Sequence, residues 1–202
     1  MTLKGLLYGF ISLFLLAGCA TAPPENLNDI CQIYRDKSGW YDDSVNARSQ
    51  WSSPIPVMMA IMHQESRFES TAKPPRTKIF GFIPGPRPSS SYGYSQAKKE
   101  TWNGYMQSSG NYGADRDDFD DAIDFIGWYN SVSVKRCSIK KDDAYHLYLA
   151  YHEGHGGFNR RSFNNKAWLK TVAKKVSARS KRYDAQLRTC AKSLKKPWWH
   201  LF

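Results

Sequence analysis

VMMAIMHQESRF, residues 57–68, is the stretch on which the fold turns. Pro54 and Pro56 stand at its head, and proline suits the first turn of a helix. The body Val57–Ser66 is apolar on nearly every side, so the predicted helix is buried rather than amphipathic. It carries Glu65 at its far end. A carboxylate that ends a buried apolar helix is partly desolvated. Desolvation raises its pKa and lets it hold a proton near neutral pH. Most glutamates at helix ends are simply solvated, so the rest of the chain must decide between the two readings.

Helical periodicity continues on both sides. Leu27, Ile30, Cys31 and Tyr34 predict a first helix from Asn26 or Asn28. Further helices are predicted over Gln96–Ser108, over Asp117–Val134 behind a cap of Asp115, Asp117 and Asp118, and over Asp142–Glu153. The last runs from about Asn165 to Leu194, with Trp168, Val172, Val176, Tyr183, Leu187 and Cys190 on one stripe and Lys and Arg on the other faces. Residues 69–91 break the pattern. Five prolines crowd there around TKIFGFI, which suits a short hairpin, and a loop of this length is often functional. It reads as a flap beside the site. The fold class is therefore all-α with one irregular Pro/Gly-rich insertion.

The N-terminus is a different kind of sequence. One cationic start, an apolar run over Gly5–Leu16 and small residues beyond it describe a secretory signal, and the run is too short to span a bilayer. Leu16-Ala17-Gly18-Cys19 resembles the bacterial lipobox, which implies cleavage after residue 18, lipidation of Cys19 and attachment to a membrane. Ala20, in place of Asp, favours the outer membrane, facing the periplasm. The expected organisation is a signal at 1–18, a tether at 19–26, a single domain at 27–195 and an aromatic tail at 196–202, whose Trp198-Trp199-His200-Leu201-Phe202 suits either lipid or the domain surface.

A formal charge of +11 favours anionic partners. Export excludes nucleic acid. Beyond Cys19, the cysteines are Cys31, Cys137 and Cys190, in a compartment where disulfides persist. Cys31 shares a stripe with Leu27 and Tyr34, and Cys190 shares one with Tyr183 and Leu187. Both stripes face the core, whereas Cys137 lies in a short basic connection. The predicted bridge is Cys31–Cys190 with Cys137 free, against the alternative of three reduced thiols.

Three short motifs give the chemistry its context. His63-Gln64-Glu65-Ser66-Arg67-Phe68 resembles the Glu-Ser-x-Phe motif of the soluble lytic transglycosylases. Tyr92-Gly93-Tyr94-Ser95-Gln96 resembles their Gly-Leu-Met-Gln motif, with Gly93 and Gln96 matching. Ala150-Tyr151-His152-Glu153-Gly154 resembles their Ala-Tyr-Asn-x-Gly motif, with His152 in place of Asn. The three stand in the family's order and span about half the chain. The resemblance implies a goose-type lysozyme-like fold, in a lipoprotein branch, acting on the glycan strands of peptidoglycan, whose peptide stems carry carboxylates. It implies that Glu65 protonates the oxygen between MurNAc and GlcNAc and then acts as base, giving 1,6-anhydroMurNAc ends. Ser66 and Gln96 would bond around the site, Tyr94 and His152 would contact substrate, and Tyr151 would hold Glu65. Gly93 and Gly154 would admit a close approach of sugar to backbone. No cofactor is implied, and a monomer is expected.

Rival chemistries remain at this stage. A two-acid glycosidase needs a second carboxylate at a set distance. Glu69 sits in a different setting and Asp115–Asp124 reads as capping, but Glu153 stays open, so lysozyme-type hydrolysis is the nearest rival. A non-catalytic glycan-binding lipoprotein is the other. His63-x-Glu65 and His152-Glu153-Gly154-His155 raise zinc, yet the second pair is three apart, not the four of a zinc-protease helix, and no metal is expected; His155 reads as part of a glycine-rich turn. Of the aromatics, Tyr92, Tyr94, Phe158 and Phe82 fall off the helical stripes and are the candidates for stacking on sugar.

Overall fold

The computed structural model describes residues 21–194. The signal segment, Cys19 and the aromatic tail lie outside the described residues. Seven helices and one small hairpin make up the described chain: α1 (Ile30–Asp36), α2 (Trp40–Trp51), α3 (Ile55–Ser66), β1 (Lys78–Ile79), β2 (Ile83–Pro84), α4 (Lys99–Ser109), α5 (Phe119–Cys137), α6 (Ala144–Asn159) and α7 (Ala167–Leu194). The expectation of a mainly helical domain holds.

α3 is the central element. Every residue from Ile55 to His63 is buried, as its unbroken apolar sequence demands. It packs on α7, α5, α6 and α2, so its C-terminal end is fixed from several sides. That end is sharp. Arg67 (φ 54°) and Phe68 (φ 62°) follow it in the left-handed region, an uncommon pair for residues with side chains. The Arg67 N–H closes the helix on the His63 carbonyl at 3.0 Å, and Phe68 is driven into the core against Trp40 and His63.

α2 has no counterpart in the sequence reading. Its buried face is Trp40, Tyr41, Ser44 and Ala47, and two of those four residues are too small or polar to register as an apolar stripe. Ser44 is buried because it is satisfied: Tyr34 Oη donates to its hydroxyl at 3.0 Å, and the hydroxyl donates to the Trp40 carbonyl at 2.7 Å. Elsewhere the predicted helices are present with shifted ends. α5 is capped by Asp118, whose carboxylate accepts from the Asp121 N–H. The insertion does form a hairpin, with Lys78 opposite Pro84 and Ile79 opposite Ile83. Its tip turns through Phe80 and Gly81, both at positive φ, and leaves Phe80 85% and Phe82 77% exposed.

Cys31 and Cys190 are joined in a disulfide, with their Cα atoms 6.1 Å apart, and Cys137 is a half-buried free thiol. The bridge ties α1 to the last turns of α7. Among the described residues no helix is long and apolar enough to cross a membrane.

Candidate active site

Five structural elements converge on a cleft of about 470 Å³. α3 contributes Glu65, the insertion contributes Pro74 and Ser91, α5 contributes Phe125 and Tyr129, and α6 contributes Tyr151 to Gly154. Gln96, Ala97, Lys98 and Thr101 complete the wall ahead of and within α4.

Glu65 is part-buried at the end of α3. Burial pushes its carboxyl up from an ordinary 4.5 to about 7, against the opposing effect of a hydrogen bond from the Tyr148 hydroxyl. At neutral pH the group is thus divided between acid and carboxylate, the condition a single residue needs to give a proton and later take one. Tyr148 belongs to none of the three motifs. Its role follows from a general requirement: a buried phenol seeks a partner for its hydroxyl. Tyr151, one turn further on, does something other than expected. Its hydroxyl donates to the Ser95 carbonyl at 2.7 Å, while burial and then the nearby Glu65 charge disfavour its ionisation. Tyr151 therefore pins the loop that carries Gln96 to α6, and Tyr148 is the tyrosine whose hydroxyl opposes the upward shift of the Glu65 carboxyl.

Of the other expected site residues, Gln96, His152 and Gly154 line the cleft. Gln96 sits at φ 51°, and its amide nitrogen donates to the Ala72 and Gly93 carbonyls, both at 2.9 Å. Gly154 breaks the helical backbone of α6 (φ 72°, ψ 158°) and a Cβ there would meet open space, so its conformation rather than crowding calls for glycine.

Three expected residues lie elsewhere. Ser66 is buried outside the cleft wall, where its hydroxyl donates to the Met62 carbonyl and accepts from the Phe68 N–H at 3.2 Å; it locks the turn after Glu65. At Gly93 a Cβ would lie 1.9 Å from the Arg116 carbonyl oxygen, so the glycine admits a neighbouring loop and not a sugar. Tyr94 is only 2% exposed and packs edge-on against Trp40 and Phe119, which are themselves stacked at 3.8 Å. It is core. Phe158 packs on Phe163 and His146, and Tyr92 donates to Asp117 at 2.8 Å beside a separate hollow.

Glu153 also lines the cleft, in a contrasting setting. Burial alone would raise its pKa, but hydrogen bonds from Lys166, Ser162 and His152 outweigh it and hold the carboxyl down at about 2. Lys166 Nζ lies 2.7 Å and 2.9 Å from the two oxygens, His152 Nδ1 lies 3.1 Å from one and the Ser162 hydroxyl donates to the other.

Among the described residues the histidines do not assemble a metal site, and no group of three metal-ligating side chains occurs there. His63 is buried, and desolvation with the charges of Arg179, Arg67 and Arg182 lowers it to about 4. His155 is not in a turn as expected. It continues α6 past the kink, stacks on Tyr129 at 4.5 Å and meets the Ser133 hydroxyl at 2.9 Å.

A mainly helical, lysozyme-like domain with one proton-holding glutamate in a cleft is the class that this geometry defines. The family described as the transglycosylase SLT domain matches residues 7–190, and the chain belongs to that family. Membership points to lytic transglycosylase activity on peptidoglycan. A comparison with curated proteins finds no match.

Proposed function

We propose that the protein cleaves the β-1,4 bond between MurNAc and GlcNAc without water, with Glu65 as its only acid and base. The observation that supports this reading is the unequal state of the two cleft carboxyls. Glu65 holds a proton up to about pH 7, while Glu153, held at about 2 with both oxygens already accepting hydrogen bonds, is a poor base for activating water. In the first step the Glu65 proton passes to the bridging oxygen as its bond to C1 of MurNAc breaks, and the carbonyl oxygen of the sugar's N-acetyl group bonds to C1. In the second step the Glu65 carboxylate takes the proton of the 6-hydroxyl, whose oxygen displaces the acetamido oxygen from C1. The 1,6-anhydro ring closes and Glu65 is again protonated.

Mass spectrometry of digested sacculi tests this. Muropeptides ending in 1,6-anhydroMurNAc are expected. Reducing MurNAc ends as the main product would make the protein a hydrolase of lysozyme type, and no release at all would make it a binding protein. We propose further that Cys19 is lipidated and holds a monomer on the outer membrane, facing the periplasm, on the strength of its lipobox. Cys19→Ala is expected to abolish acyl labelling and membrane fractionation; unchanged labelling would remove the claim.

A further inference from the structure

A second hollow, of about 420 Å³, lies against the catalytic cleft. Its walls carry three cations, Lys73, Arg87 and Arg116, and three consecutive serines, Ser89 to Ser91, around the ring of Tyr92. No carboxylate lines it. The cations are organised. Lys73 Nζ stands 5.0 Å from the centre of the Tyr92 ring and the Arg116 guanidinium 5.2 Å from it. Arg116 Nη1 donates to the Ser90 and Ala97 carbonyls at 2.7 Å and 3.0 Å, and Arg87 Nη1 donates to the Pro74 carbonyl. Each guanidinium thus uses one terminal nitrogen as a brace and has its other N–H groups to offer. Beside the hollow, Asp117 accepts the Tyr92 hydroxyl at 2.8 Å. Charge and geometry together suit a small planar anion, because arginine presents paired donors that match a carboxylate.

Position decides which carboxylate. Ser91 lines both the hollow and the cleft, and the adjacent residues Lys73 and Pro74 face one each. The two cavities are therefore neighbours, close enough for a group branching from a sugar beside Glu65 to reach the hollow. In peptidoglycan that branch is the peptide stem, which leaves the same MurNAc ring whose C1 bond is cut and carries free carboxylates. We propose that the Lys73–Arg87–Arg116 hollow binds a stem-peptide carboxylate and makes the protein prefer peptide-bearing over bare glycan. The proposal rests on the reading that the cleft cuts glycan strands.

The test compares kcat/KM of the full chain in detergent on three substrates: peptide-bearing strands, the same strands stripped of peptide by an amidase, and strands whose stem carboxylates have been converted to amides. A preference of about fivefold or more for the peptide-bearing strands over the other two is expected at low salt, shrinking as ionic strength rises. In Lys73→Gln/Arg87→Gln, two exposed positions, that ratio is expected to fall towards one. Equal efficiency on all three substrates, a ratio unchanged in the double variant, or amidated strands cut as well as native ones would each overturn the proposal while leaving the glycan reading intact. Failure to cut any of the three substrates would overturn both.

Discussion

Two carboxyl groups line one cleft and sit on opposite sides of neutrality. Glu65 ends an apolar helix, with a phenol as its hydrogen-bond partner, and is pushed up to about 7. Glu153 lies at the kink of α6, where an ammonium, a hydroxyl and an imidazole converge, and is held at about 2. Their sequences differ little in character; their neighbours differ entirely. The contrast shows that a cleft assigns acid and base roles by what it places beside each carboxyl rather than by how many carboxyls it holds.

The largest break in the comparison is expected at Glu65 itself. Glu65→Gln keeps the shape but has no proton to deliver, and turnover is expected to fall at least about 10²-fold. Glu153→Gln is expected to cost no more than about tenfold, through looser placement of Lys166 and His152. Dye-release or muropeptide assays of both variants check this, and equal losses would end the division of roles.

A smaller effect is expected in stability. Between pH 4.5 and 7 the folded protein keeps the Glu65 proton while the unfolded chain gives it up. The group's contribution to stability is therefore full below about pH 4.5 and declines as pH rises through about 7. Glu65→Gln removes that decline. The variant is expected to gain on the order of 3 kcal/mol over the native protein at pH 8, relative to their difference at pH 4. Denaturant unfolding at the two values measures it, and a gap independent of pH would contradict the raised pKa.

The finest adjustment is at Tyr148. Its hydroxyl lowers the Glu65 pKa, so Tyr148→Phe is expected to raise that pKa further and move the alkaline limb of the pH–rate profile upward. The change in turnover at pH 6 is expected to stay within about tenfold. The same shift in Tyr151→Phe but not in Tyr148→Phe would reverse the assignment of the two tyrosines.

Which parts of this were legible in the sequence follows from the physics of each feature. Helix α3 and its terminal glutamate were plain, because a run with no polar face has one stable destination. The disulfide was legible from two inward stripes at the ends of the chain. α2 was not, since Ser44 and Ala47 are buried by a hydrogen bond and by small size, neither of which appears as hydrophobicity. Within the site, Glu65, Gln96, Tyr151, His152 and Gly154, drawn from the three motifs, line one cleft. Ser66, Gly93 and Tyr94 do not line it, and serve instead the turn and the loop that shape the wall. The partner of Glu65 was one helical turn from the expected tyrosine, a distinction that needs the direction of each side chain and not only its spacing.

The bridge between Cys31 and Cys190 has a mechanical consequence. Every residue of the cleft, from Glu65 to Gly154, lies inside the covalent ring it closes. A pull on the chain ahead of α1 can unpeel residues only as far as Cys31. From there the load crosses a covalent bond into α7, a helix of 28 residues laid along α1, α3 and α6. Tension on that end is thus spread over the longest helix of the described residues before it reaches the helix that carries Glu65.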